Sequence, residues 1–136
     1  MTQLKIPDYL FEQIVAQARE AAPIEACGIL AGKDGVAEKL YKMTNVEQSS
    51  EHFMMEPQEQ FTVVKDIRAA GLRMLAIYHS HPASPARPSA EDIRMSLTPD
   101  VTYVIVSLQN HQIPVIKGFN IKDGMVNEVA VEIFEG

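Results

Sequence analysis

The sequence has a single cysteine, Cys27, no tryptophan and no long apolar run. One cysteine cannot form an internal disulfide, and such a chain is typical of a reducing compartment. The first seven residues contain no apolar stretch of the kind that a secretion signal needs. No segment reaches the roughly 18 apolar residues of a membrane span. We therefore expect a cytoplasmic protein with no membrane partner.

Positive charge is also scarce. The chain has 12 Lys and Arg residues against 18 Asp and Glu residues, which gives a net charge of −6. Proteins that bind nucleic acid need clustered Lys and Arg to neutralise phosphates, and this chain has no such cluster. We therefore expect no nucleic-acid partner.

The length of 136 residues and the hydrophobic fraction of 46% are those of one ordinary globular domain. A chain of this length can bury a core without disulfides. It contains no internal repeat, low-complexity tract or linker. We therefore expect a single domain over residues 1–136.

The secondary structure is predicted from apolar periodicity and from turn residues. Asp8 is expected to cap the first helix, and Phe61, Val64 and Ile67 give the second helix its apolar period. Helices are predicted at 8–21, 57–71 and 90–97, strands at 26–31, 36–43, 73–79, 101–108, 113–121 and 125–134, and irregular loops at 45–56 and 82–88. This order predicts an α/β fold with a single mixed β-sheet of about six strands flanked by helices.

The strongest chemical signal is His79-Ser80-His81, followed after seven residues by Ser89 and then by Asp92. Residues i and i+2 of a strand point to the same face, with Cα atoms about 6.6 Å apart, so the two imidazoles can converge on one metal ion. Asp92, at the start of the next helix, can supply a third ligand. Three protein ligands leave one position open, as in catalytic zinc sites, although this ligand set does not exclude iron or manganese.

Other interpretations of these residues are open at this point. Ser89 and Asp92 also have the spacing of a helix capping box, which is compatible with a ligand role for Asp92. Glu25 is either the base that acts on a metal-bound water or an ordinary exposed acid. Cys27 is either a small buried apolar residue or, less simply, a metal ligand.

These residues together resemble the complete signature of the JAMM (MPN-plus) metalloproteases, and the segment 23–30 is similar to the first motif strand of that family. The resemblance implies a fold like that of the cytidine deaminases. It implies that His79, His81 and Asp92 bind one Zn²⁺ ion, with water as the fourth ligand. Glu25 would hold that water, and Ser89 would stabilise the oxyanion.

The family hydrolyses peptide or isopeptide bonds after the C-terminal Gly-Gly of ubiquitin or ubiquitin-like proteins. The short loops resemble those of the compact bacterial and archaeal members, some of which act on sulfur-carrier proteins. The resemblance therefore implies a ubiquitin-like or sulfur-carrier partner with a Gly-Gly tail. A non-catalytic MPN-type scaffold and a zinc amidase or peptidase for a small substrate are the alternatives. The sequence does not indicate the oligomeric state.

Overall fold

The computed structural model describes residues 3–136, which form seven strands and three helices. The strands are β1 (Gln3–Pro7), β2 (Cys27–Lys33), β3 (Val36–Met43), β4 (Arg73–His81), β5 (Thr102–Ser107), β6 (Val115–Lys122) and β7 (Met125–Phe134), and the helices are α1 (Asp8–Ala21), α2 (Pro57–Ala69) and α3 (Ala90–Arg94). Within this part of the chain, no helix is long and apolar enough to cross a membrane.

The strands form one mixed sheet that closes in the order β1-β3-β2-β4-β5-β6-β7. The pairs β4–β5, β1–β7 and β1–β3 are parallel, and the others are antiparallel. The predicted α/β class with a mixed sheet is confirmed, but the number of strands is seven rather than about six. The additional strand is β1, which pairs with β7 over five residues and with β3 at Lys5 and Val36.

Several predicted details of the helices are wrong. Asp8 does not cap α1, because β1 runs directly into the helix and Pro7 holds the N-cap position without a side-chain hydrogen bond. In α2 the buried residues are Val63 and Ile67, whereas Phe61 and Val64 are exposed.

Helix α3 ends at Arg94 instead of residue 97. The hydroxyl of Ser96 donates a hydrogen bond to the carbonyl of Asp92 at 2.5 Å and closes this short helix. Such hydrogen bonds from serine to the backbone four residues earlier compete with helix continuation.

The sheet separates two apolar layers, because successive side chains of a strand point to opposite faces. On one face, Ala76 and Tyr78 of β4 pack with α1 and with β1. On the other face, Ile77 of β4 packs with the buried side of α2 and with β5 and β6. Strand β4 extends two residues beyond its predicted end, to His81. Continued alternation therefore places His79 and His81 on the α2 face and Ser80 on the α1 face.

Candidate metal centre

The two histidines at the end of β4 face each other across a short gap. Their Nε2 atoms are 3.1 Å apart, and both side chains are buried. The Oδ2 atom of Asp92 lies 3.2 Å from Nε2 of His79 and 3.1 Å from Nε2 of His81. Three potential ligand atoms from two separate elements thus form a nearly equilateral triangle.

The size of this triangle fits one zinc ion. Zinc–nitrogen and zinc–oxygen bonds are about 2.0–2.1 Å long, so two ligands of a tetrahedral ion lie about 3.3 Å apart. The observed separations of 3.1–3.2 Å are close to this value. The donor set of two imidazoles and one carboxylate is also one that zinc accepts.

Hydrogen bonds around the triangle orient its members. In the neutral tautomer that ligates through Nε2, Nδ1–H of His81 donates to the carbonyl of Pro85 at 2.8 Å. Such a second hydrogen bond is typical of metal-ligating histidines, since it fixes the tautomer and the ring orientation. The proline-containing loop 82–88 therefore orients the ring of His81, one of the candidate ligands.

The charges of the site suit a cation. Burial lowers the pKa of His79, which keeps this imidazole neutral as a ligand must be. For His81, burial acts to lower the pKa, but the hydrogen bonds to Asp92 and Pro85 outweigh this effect. The net result is a raised pKa of His81. For Asp92, burial acts to raise the pKa, but the hydrogen bonds from the two histidines dominate and lower it. Asp92 is thus ionised, as a carboxylate ligand must be.

Ser89 and Asp92 form the predicted capping box. Oγ of Ser89 accepts a hydrogen bond from the Asp92 amide at 3.0 Å, and Oδ2 of Asp92 accepts one from the Ser89 amide at 2.9 Å. The same Oδ2 atom faces the histidines, so capping and a ligand role are compatible. The bond to Oγ uses a lone pair and leaves the hydroxyl hydrogen of Ser89 able to donate.

Glu25 lies beside this triangle, immediately before β2. Its carboxylate and the ring nitrogens of His79 and His81 lie within 4.8 Å of one another. The residue is 2% exposed, and its Oε1 has no hydrogen-bond partner within residues 3–136. Burial raises the pKa of Glu25 to about 8, while His81 opposes the rise. Glu25 is therefore not the ordinary exposed acid that the sequence also allowed.

Cys27 follows on the same strand but takes no part in the group of candidate ligands within the described chain. Its thiol is fully buried and donates a weak hydrogen bond to the carbonyl of Met43 at 3.8 Å. Burial raises the pKa of Cys27 to about 12, so the sulfur remains a thiol. The interpretation as a small buried apolar residue is confirmed.

The loop 45–56 forms one wall of the site. Phe53 of this loop stacks on the ring of His79, with centroids 4.7 Å apart. An apolar cavity of about 200 Å³ continues from His79 and Asp92 and is lined by methionines from separate segments, including Met54 and Met95. The loop thus shields one imidazole and borders the space next to the metal centre.

The site combines two histidines, an aspartate and a buried glutamate in a small α/β domain. This combination is typical of metal-dependent hydrolases. Residues 7–120 match the family described as prokaryotic homologs of the JAB domain, Prok-JAB. The chain belongs to this family.

Known proteins are similar to this chain in sequence or structure over most of its length. The CysO-cysteine peptidase of Mycobacterium tuberculosis is 37% identical over 128 residues, which are 93% of this chain and 88% of the relative. The solution structure of protein DSY2949 from Desulfitobacterium hafniense is 46% identical and covers 98% of this chain and 94% of its own, with a TM-score of 0.90. A structure described as the JAMM metalloprotease-like zinc site in the proteasome and signalosome is 25% identical over 96% of this chain and 98% of its own, with a TM-score of 0.57.

Proposed function

We propose that this protein is a zinc-dependent peptidase that hydrolyses the bond after the C-terminal Gly-Gly of a ubiquitin-like or sulfur-carrier protein. The observation that carries the proposal is the triangle of His79, His81 and Asp92, 3.1–3.2 Å on each side. The buried Glu25 lies beside it, and its Oε1 has no hydrogen-bond partner within residues 3–136. The similarity to a CysO-cysteine peptidase over 93% of this chain supports both the reaction and the substrate class.

One Zn²⁺ ion, with water as its fourth ligand, would be held by His79, His81 and Asp92. When bound, zinc supplies Lewis acidity, which lowers the pKa of water and polarises the carbonyl of the scissile bond. The neutral state of His79 and the ionised state of Asp92 are those that zinc ligands need.

Glu25 acts as the general base. Its carboxylate takes a proton from the attacking water and later delivers that proton to the leaving amine. Because Oε1 has no hydrogen-bond partner within residues 3–136, the carboxylate is free to accept this proton. Burial raises its pKa to about 8 in the metal-free protein, which makes this carboxylate a stronger proton acceptor than an exposed glutamate.

Ser89 stabilises the oxygen of the scissile carbonyl as negative charge develops there. Its Oγ is fixed by the hydrogen bond from the Asp92 amide, and its hydroxyl hydrogen is available to donate. Preorganised donors of this kind stabilise the transition state because they need no reorientation during the reaction. The apolar cavity beside His79 has room for the substrate residues next to the scissile bond.

The decisive experiment tests the zinc-loaded protein on free dipeptides and on a panel of ubiquitin-like and sulfur-carrier proteins, each joined through Gly-Gly to cysteine, to a peptide or to a lysine side chain. We expect cleavage of at least one member by the wild type and none by Glu25→Gln, which should retain zinc. Glu38→Gln, the same change at an exposed position of β3, serves as the matched control.

Each outcome of this panel separates the alternatives. Cleavage by Glu25→Gln at the wild-type rate would refute the assignment of the base. If the zinc-loaded wild type cleaves no protein substrate but hydrolyses dipeptides, the protein is a small-substrate peptidase. If it cleaves neither, a non-catalytic scaffold is favoured.

A further inference from the structure

The peptide group between Glu25 and Ala26 is held by two side chains from different parts of the chain. Its carbonyl accepts a hydrogen bond from Nδ2 of Asn45 at 3.1 Å. Its N–H donates to Oγ of Ser80 at 2.8 Å. Both bonds are buried, and β2 begins only at the next residue, Cys27. Within a sheet, the backbone of neighbouring strands would bind the carbonyl and N–H of this peptide. Here two side chains bind them instead.

Asn45 is buried and uses the full hydrogen-bonding capacity of its amide. Its Nδ2 donates to the carbonyls of Glu25 and His52, and its Oδ1 accepts from the amides of Glu47 and Met54, all at 3.1 Å. One side chain thus ties the backbone of Glu25 to the loop 45–56, whose Phe53 ring stacks on His79.

Ser80 provides the second hold. It lies between the two histidines, but its side chain points to the opposite face of β4 and is 1% exposed. Its amide donates to the carbonyl of Ala26 at 2.9 Å, while its Oγ accepts from the amide of Ala26 at 2.8 Å. The strand that carries His79 and His81 therefore also fixes the backbone from which the Glu25 carboxylate extends.

The Glu25 carboxylate has little to hold it by itself, because its Oε1 has no hydrogen-bond partner within the described residues. Its position depends on the backbone. We propose that Asn45 and Ser80 are positioning residues, which clamp the Glu25–Ala26 peptide and so set the carboxylate at its distance from the metal centre. This inference rests on the function proposed above, in which Glu25 is the base.

Two substitutions remove one side of the clamp each. Asn45→Asp has the same size and retains the acceptor for the amides of Glu47 and Met54, but it loses both N–H donors. Ser80→Ala removes the acceptor of the Ala26 amide. Asn127→Asp, the same change at an exposed position of β7, is the matched control.

We expect both clamp variants to bind one zinc ion as the wild type does. Their kcat should fall about tenfold to a hundredfold, with KM within about twofold, because a displacement of about 1 Å in a reacting group can cost a factor of this size. Since both side chains act on one peptide group, their effects on log kcat should not add in the double variant. Asn127→Asp should retain the wild-type kcat.

A second measurement on the zinc-free protein does not depend on activity. By NMR, Ser80→Ala should speed the hydrogen exchange of the Ala26 amide, and both clamp variants should shift the carboxyl carbon signal of Glu25. Asn127→Asp should change neither.

These two measurements separate failure of the clamp from failure of the proposed function. If the wild type cleaves and Glu25→Gln does not, wild-type kcat in both clamp variants would overturn the clamp. If kcat falls and zinc is lost as well, the two side chains act on the metal ligands rather than on Glu25. That result would also overturn the clamp. If the wild type cleaves no substrate, the NMR measurement decides, because unchanged Glu25 and Ala26 signals would contradict the clamp.

Discussion

Replacing Glu25 by glutamine should make the stability of the zinc-free protein less sensitive to pH. In the unfolded chain this carboxyl has its ordinary pKa of 4.5, whereas burial raises the pKa to about 8 in the folded protein. Between these values the folded state holds a proton that the unfolded state has released. The stability that Glu25 contributes is therefore complete below pH 4.5 and is lost as the pH rises toward 8.

The size of this effect follows from the two pKa values. Integration of the proton-binding difference from pH 5 to pH 8 gives a loss on the order of 3 kcal/mol in the free energy of unfolding. Glutamine has nearly the same shape and does not ionise, so Glu25→Gln lacks this loss. The stability advantage of the variant over the wild type should therefore grow by about 3 kcal/mol over this interval.

Urea unfolding in the presence of a chelator measures this difference at pH 5, 6, 7 and 8. Glu38→Gln, the same change at an exposed position of β3, is the matched control. If the curves of the wild type and Glu25→Gln run parallel from pH 5 to pH 8, burial does not hold the proton on Glu25, and the reasoning is refuted.

Two further predictions concern the ligands and the packing behind them. His81→Ala and Asp92→Ala should each lose zinc because they open the ligand triangle, and full zinc content in either purified variant would contradict the ligand set. Gly28→Ala should destabilise the protein by about 1–3 kcal/mol, since its Cβ would lie 2.2–2.4 Å from the hydroxyl and ring atoms of Tyr78. An unchanged melting temperature would show that the ring moves aside without cost.

The parts of the site that could be predicted from the sequence depend on local rules. Alternation along a strand places His79 and His81 on one face, and the capping box places Asp92 at the start of α3. Both patterns act over a few residues, so spacing alone reveals them. Glu25 lies far away in the sequence, and the resemblance to a family, not a local rule, connected it to the histidines.

What the sequence did not reveal depends on contacts between distant segments. Strand β1 has only five residues and gains its partners from β7, at the other end of the chain. Asn45 looked like one polar residue of a loop, because nothing local shows that its amide reaches Glu25 and His52. The Phe53 contact with His79 is unpredictable for the same reason.

The buried face of α2 shows a third limit. Phe61, Val64 and Ile67 are spaced as one apolar stripe, yet Val63 and Ile67 are the residues that face the sheet. Both stripes have helical spacing, and the packing of the whole domain selects between them.

The double use of Oδ2 of Asp92 has a consequence for how the protein would take up its metal. The same oxygen caps α3 and faces the histidines, so the helix holds this oxygen in place before any ion arrives. The entropy of ordering that ligand is therefore already lost when the chain folds. We expect zinc to enter a site whose carboxylate ligand is already in place, so that binding the ion requires no ordering of α3.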